Sequence, residues 1–419
     1  MQIFLYYEYK GIILEHASLI FLDMTKGWLL GKPLQEEPLT EEEWLHIYKL
    51  ACQHKLDLGI FESCYRSEGF AGMPSGLREY WQKSAQINGA QEVQKVYRFL
   101  NVYRELVARG LKPLVVKGIL CRMLYAKPYT RPSADEDMYV QGDEFERCCE
   151  ILMELGFRRV SGEEDCVAAM QDTCSCLHLE IHRELFDPGK LTDCFQGWIK
   201  GCFERCEVYR FEGVPVYGMD PQTHFLYLLA HLMKHFVGPG IGIRQLCDIS
   251  LWLNRYGDRI EWLKVQRKLR EAGCELFCLN ILELCVRYFG LDRKKIQWPA
   301  KVWDQTDPED LLEDLLDAGI YGKSSQSRLH SSTMTLAAVQ DGRKKLSVRS
   351  AVFPSAEKLK GRYGFLGKYP FLLPAAWMHR MAGYAVELGR KNKDDNSPAE
   401  SVAIANKRIH LLEKYGMIS

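Results

Sequence analysis

The sequence predicts an α+β protein: a small mixed β-sheet with flanking helices, preceded by a helical N-terminal segment and followed by a helical C-terminal domain. Three observations carry this. Apolar residues recur at helical spacing through much of the first hundred positions and again after Pro221. Between them, short β-branched runs alternate with single helical patterns, as in a sheet that packs helices against itself. With 419 residues, 47% of them hydrophobic and 26% charged, the chain has the composition of a folded protein with a full-sized core. The expected division is a helical region 1–109, a mixed domain 110–219 and a helical domain 220–419.

The elements follow in order. "LTEEEWLHIYKLACQHKLDL" (39–58) opens with Thr40 as N-cap and Glu43 three residues on, a capping box. A second helical pattern, about 76–109, ends at Gly110. "KPLVV" from Lys112 is a β-branched run; Gly118 then opens the helix-like "ILCRMLYA", and a proline-containing loop leads to the strand "EDMYV". "EFERCCEILMELG" is an amphipathic helix stopped by Gly156, and "FRRVS" a further strand. "CLHLEIHREL" (176–185) alternates as a strand, and "VYRFEGVPVYGM" reads as a closing hairpin. "PQTHFLYLLAHLMKHF" begins with proline at a helix N-terminus. "IRQLCDISLWLNRY" and stretches at about 257–290, 307–320 and 397–415 complete the helical part.

Lys plus Arg and Asp plus Glu each total 55, so the chain lacks the basic excess of a protein that coats nucleic acid. Residues 342–362 hold seven Lys or Arg against one Glu, which reads as a solvated loop before it reads as a nucleic-acid groove. Fifteen scattered cysteines show no paired CxxC spacing and suit reduced, buried thiols. The apolar N-terminus is interrupted by Glu8, Lys10, Glu15 and His16, so neither a signal peptide nor a membrane span is expected, and the cytoplasm is the default location.

The chemistry centres on "VVKGILCRMLYAKPYTRPSADEDMYV" (115–140). Asp135 and Asp137 lie one residue apart at the mouth of a strand, so alternation points both to one side and Glu136 to the other. Carboxylates about 6–7 Å apart along a strand can share divalent cations, and Mg²⁺ characteristically takes one or two carboxylates together with substrate phosphates. Gly118 ends a β-branched run and opens a helix, which offers backbone N–H groups to a phosphate, and Lys117 and Arg131 bracket the passage as phosphate partners. Glu180, in "HLEIH", can bring a third carboxylate from a neighbouring strand. Glu136, turned away from the metal, needs an Arg or Lys partner if it is buried.

Other groups have blander readings beside their functional ones. His178, Glu180 and His182 share a strand face. They form either a transition-metal site or, since zinc would want more nitrogen or sulfur ligands, histidines that hydrogen-bond around the acids and orient Glu180. His224, His231 and His235 fall on one helical face; Lys234 and His235 are candidates to line a nucleotide cleft, though such residues are usually satisfied core or rim groups. Asp248 is expected to pair with Arg244 four residues earlier. No G-x-S-x-G or G-x-x-x-x-G-K-[ST] loop is present.

Glycine after a strand, then Asp-x-Asp, then one acid on a later strand resembles the nucleotidyltransferase superfamily of the DNA polymerase β type. More closely, "VVKG…LY…RPSADEDMYV…LEIHREL…HLMKHF…RQLCDISLWL" resembles a bacterial family of uncharacterised nucleotidyltransferases. The likeness runs from about residue 40 to 385 and includes "VFPSAEKLKGRYGFLGKYPFLLPAAWMHRM". It implies that Asp135, Asp137 and Glu180 are the metal-binding and catalytic acids, with Glu180 helping to deprotonate the attacking hydroxyl, and that Gly118 is the phosphate-turn glycine. It further implies two Mg²⁺ ions, an NTP substrate and a helical domain that supplies a triphosphate-binding lysine, for which Lys234 is the candidate. Ile119 stands where the superfamily usually has Ser or Gly, and Glu136 where it usually has an apolar residue.

The expected activity is Mg²⁺-dependent transfer of a nucleoside monophosphate from an NTP to an acceptor hydroxyl on a small molecule, peptide or protein. Two alternatives stand beside it. Ile119 and Glu136 motivate a degenerate nucleotidyltransferase fold that serves as a nucleotide-binding or interaction module. The basic stretch 342–362 motivates an enzyme that modifies a tRNA end. No membrane partner is expected.

Overall fold

The computed structural model describes residues 16–32, 38–160, 166–186, 190–237, 240–318, 363–379 and 398–418, with positions 331, 334, 335 and 359 between them. The basic stretch 342–362 therefore lies outside the described residues, apart from Leu359. The chain divides into two compact units, Met1–Leu232 with Ile243–Glu309, and Met233–Gly242 with Asp310–Ser419.

The first unit opens with helices α1 (His16–Leu30), α2 (Glu41–Gln53), α3 (Asp57–Cys64), α4 (Glu68–Ala71) and α5 (Ser75–Ala108). The capping box forms as the sequence predicts: the Glu43 N–H donates to Thr40 Oγ1, and Glu43 accepts from the Thr40 N–H. The helical pattern over 39–58 breaks at Lys55, which turns to φ +55° and separates α2 from α3. Helix α5 stops where expected because Gly110, at φ +84°, enters a region that L side chains avoid.

Seven strands follow: β1 (Leu114–Val116), β2 (Glu136–Tyr139), β3 (Phe157–Arg159), β4 (Val167–Asp172), β5 (His178–His182), β6 (Glu207–Phe211) and β7 (Val214–Gly218). They form one mixed sheet in the order β3-β4-β5-β2-β1-β7-β6. Helix α6 (Gly118–Arg122) follows β1, α7 (Phe145–Glu154) follows β2, and α8 (Lys190–Ile199) precedes the β6–β7 hairpin. At the centre, β1 runs antiparallel to β2 with Val116 opposite Asp137, and β2 runs parallel to β5 with Asp137 opposite Glu180. Directly paired residues share a face. Asp137, Tyr139, Glu180 and His182 therefore line one side, while Glu136, Met138, Leu179 and Ile181 line the other, where all four are buried. The Tyr103 hydroxyl of α5 donates to the Pro113 carbonyl and accepts the Tyr217 N–H, which ties the long helix to the strand ends.

Beyond the sheet come α9 (Pro221–Val237), α10 (Ile243–Tyr256), α11 (Trp262–Glu271), α12 (Glu275–Tyr288) and α13 (Ala300–Trp303). Within the second unit, described residues include most of α14 (Glu309–Ala318) and a terminal helix Pro398–Lys414. There the buried Arg408 donates to the Phe236 carbonyl, and Lys414 pairs with Asp310. Among the described residues, no helix is long and apolar enough to cross a membrane. The fifteen cysteines are all free thiols.

Candidate active site

The site begins at the turn between β1 and α6. Lys117 has φ +54° and ψ −120°, and Gly118 has φ +23°. A lysine held there is strained by about 1–3 kcal/mol, and His224 of α9 holds it by accepting the Lys117 backbone N–H at 3.1 Å. Burial pushes the His224 imidazole down to about 3, so it stays a neutral acceptor at physiological pH. Position 118 must be glycine for a second reason. A Cβ there would lie 1.9 Å from Glu136 Oε2, beneath the turn.

The turn aims the Lys117 side chain across the sheet face, where Nζ lies 2.9 Å from Asp137 Oδ2 and 3.0 Å from His231 Nε2. The other Asp137 oxygen meets His182 Nε2 at 3.0 Å, and that nitrogen is 3.5 Å from Glu180 Oε2. Donor atoms of Asp137, Glu180 and His182 all lie within 4.8 Å of one another. The two acids differ in exposure: the Asp137 side chain is 3% exposed, whereas Glu180 is 37% exposed and open to a ligand. Burial alone would raise the Asp137 pKa, but Lys117 and the His182 hydrogen bond outweigh it and hold the carboxyl well below its usual range. Burial would lower the His182 pKa, but the bonds to Asp137 and Glu180 hold it up.

Asp135 sits just ahead of β2, half-buried, and feels the other acids. Burial first, then the charge of Asp137, lift its carboxyl to about 6 against the pull of Lys117, with Glu180 adding to the rise. A pKa raised on folding means that ionised Asp135 costs stability above about pH 6, a cost absent below its unfolded value of 3.8. Asp135→Asn should therefore stabilise the metal-free protein by roughly 1–2 kcal/mol at pH 8, after allowance for solvent screening, and change little near pH 4. Thermal unfolding at the two pH values measures this. Such unrelieved repulsion among acids is what a bound cation would remove, so the donor set fits a divalent metal.

Beneath the turn, Glu136 has the cationic partner its burial requires. Arg122, with no exposed side-chain surface, donates to Glu136 Oε1 at 2.8 Å and to Glu92 Oε2 at 2.9 Å. Lys95 closes the chain, bonding Glu92 Oε1 at 2.8 Å and the Ser133 carbonyl at 3.1 Å. Burial raises the Glu136 pKa even against Arg122, while Arg122 and Lys95 overcome burial at Glu92 and keep it lowered. Four charges from α5, α6 and β2 thus anchor the Gly118 turn and the loop into the aspartates. Ile119 is buried in the core and presents nothing to the site.

Several sequence expectations meet a different arrangement. Arg131, expected at a phosphate, is buried and bidentate to Asp248, with distances of 3.0 and 2.7 Å. It anchors the loop because Asp248, which also accepts the Tyr125 hydroxyl at 2.8 Å, is a buried acid that needs a fixed cation. Against burial, Arg244, the partner expected for Asp248, adds its charge to that of Arg131 in lowering the Asp248 pKa, and it also donates to the Pro132 carbonyl. His178 is exposed at the start of β5, and it is His182 that joins the acids. Of the three histidines on the α9 face, His224 and His231 reach Lys117. Lys234 and His235 belong to the segment Met233–Gly242 of the second unit. No sequence signal marks Arg122, Glu92 and Lys95 as one network beyond the need of Glu136 for a partner.

No curated protein and no solved structure matches the chain. A family model described as "Uncharacterised nucleotidyltransferase" matches residues 40–290, more than half of the chain and the whole of the geometry above. That span holds the Gly118 turn, the strand carrying Asp137 and the parallel strand carrying Glu180. The chain belongs to the uncharacterised nucleotidyltransferase family.

Proposed function

We propose that this nucleotidyltransferase moves a nucleoside monophosphate from an NTP to a hydroxyl on a small molecule, peptide or protein, with divalent ions held by Asp135, Asp137 and Glu180. The observation that carries the reading is the register of β2 and β5, which sets Asp137 opposite Glu180 beside the Gly118 turn. Two ions are expected, Mg²⁺ among them, each supplying positive charge that offsets negative charge at the phosphorus centre and on the departing pyrophosphate. The protein's own groups position and neutralise. Glu180, the accessible acid, accepts the acceptor hydroxyl's proton. Lys117 lies beside Asp137 on a side chain long enough to turn toward a phosphate oxygen, and Gly118 is the candidate phosphate-turn glycine. His178 and His182 support the acids. Arg131 acts by holding the loop rather than by touching phosphate.

Incubation with α-labelled and γ-labelled NTPs, Mg²⁺ and fractionated cell extract tests the reading. The expected result is α-label on an acceptor with the γ-phosphate leaving in pyrophosphate. Release of inorganic phosphate without labelled acceptor would make the protein a phosphohydrolase. Absence of both products, together with nucleotide-dependent stabilisation, would favour a binding module.

A further inference from the structure

We propose that Asp137, Glu180 and His182 form a mixed carboxylate–imidazole site that prefers a first-row transition ion, from Mn²⁺ to Zn²⁺, over Mg²⁺. This rests on the metal-dependent reading of the same face, but it assigns a ligand and a metal class that three carboxylates alone would not specify.

The geometry makes the argument. Metal–donor bonds of ~2.1 Å place neighbouring donors ~3.0 Å apart at right angles and ~3.4 Å apart at tetrahedral angles. His182 Nε2 already stands 3.0 Å from Asp137 Oδ1 and 3.5 Å from Glu180 Oε2. All three donor atoms lie within 4.8 Å of one another, so an ion can enter among them once the two carboxylates draw in to bonding distance. Asp137 can keep Oδ2 on Lys117 at 2.9 Å while it offers Oδ1. His182 is two residues beyond Glu180 on β5, so strand alternation fixes its ring on the acids' side. Its second nitrogen, Nδ1, is buried without a hydrogen-bond partner, so a metal-bound ring keeps an unsatisfied N–H there, a cost that the metal–nitrogen bond has to exceed.

Chemistry then decides between ions. Mg²⁺ is hard, takes oxygen donors and sheds water reluctantly, whereas imidazole is a good ligand for later divalent ions, whose affinities rise across the row. A nitrogen donor therefore adds little for Mg²⁺ and much for an ion such as Co²⁺ or Zn²⁺. Asp135, outside this set of three, is the oxygen donor left for a second ion, where Mg²⁺ can travel with the triphosphate.

Full-length protein titrated calorimetrically with Co²⁺ and with Mg²⁺ tests the proposal. The expected result is Co²⁺ binding at least a hundredfold tighter than Mg²⁺, with His182→Gln weakening Co²⁺ at least tenfold and Mg²⁺ less than threefold. Glu180→Gln should weaken both. In Co²⁺-loaded wild type, a hyperfine-shifted imidazole N–H resonance lost on His182→Gln reports the same ligand, and its presence in wild type alone decides the matter if the variant fails to fold. Equal losses for the two ions, unchanged Co²⁺ affinity in His182→Gln, or no shifted imidazole resonance would overturn the proposal. Co²⁺ bound through His182 without any nucleotidyl transfer would instead overturn the proposed activity and leave this metal site standing.

Discussion

Asp137→Asn is expected to lower metal-dependent nucleotidyl transfer by at least about a thousandfold while the protein stays folded. The asparagine keeps the shape of the side chain but removes the charge that both Lys117 and a divalent ion would address. The fold should survive because Lys117 retains His231 at 3.0 Å and Val116, opposite residue 137 on β1, is untouched. Initial rates of pyrophosphate release, with unfolding midpoints for both proteins, separate lost chemistry from lost structure. A variant that keeps a tenth or more of the wild-type rate would remove Asp137 from the chemistry. Glu180→Gln should lose rate comparably with even less effect on stability, since its side chain is 37% exposed.

The largest stability effect should come from Arg122→Met. The guanidinium is fully buried between Glu136 and Glu92, so its removal leaves two buried carboxylates, Glu92 still bonded to Lys95 and Glu136 with only the more distant charge of Arg131. Breaking a buried pair in this way costs about 3–5 kcal/mol. The loss should shrink as pH falls, because protonation of Glu136, whose pKa burial already raises, removes the unpaired charge. Arg122→Met with Glu136→Gln should recover a large part of it, since Glu92 keeps its bond to Lys95. Urea unfolding at pH 5 and pH 8 of wild type, single and double variants measures each of these. A single variant as stable as wild type at pH 8 would contradict the role given to the network.

Much of this was legible in the sequence. The glycine stops at Gly110 and Gly156, the capping box at Thr40, the proline opening α9 and the alternating "HLEIH" are local signals, and local signals survive folding. The convergence of Asp137 and Glu180 could be expected because a turn glycine, an acidic strand and a later acid form one pattern. Strand β4, "VAAMQD", escaped notice because its alanines and methionine have weak strand preference and its pairing with β3 and β5 is non-local. The partners of the buried charges escaped for a related reason. Arg131 reaches Asp248, and Arg122 reaches Glu92, across large sequence separations that no periodicity encodes. The choice of His224 and His231 at Lys117 likewise depends on how α9 is rotated against the sheet, whereas their shared helical face only narrows the candidates.

The most direct measurement is a crystal structure of the protein soaked with Mn²⁺ and a non-hydrolysable NTP analogue. The predicted result is ion density between the Asp137 and Glu180 carboxylates, with the triphosphate against the Gly118 turn. Nucleotide bound elsewhere, or ordered at the turn with no ion between those two acids, would contradict the assignment of this sheet face as a nucleotidyl-transfer site.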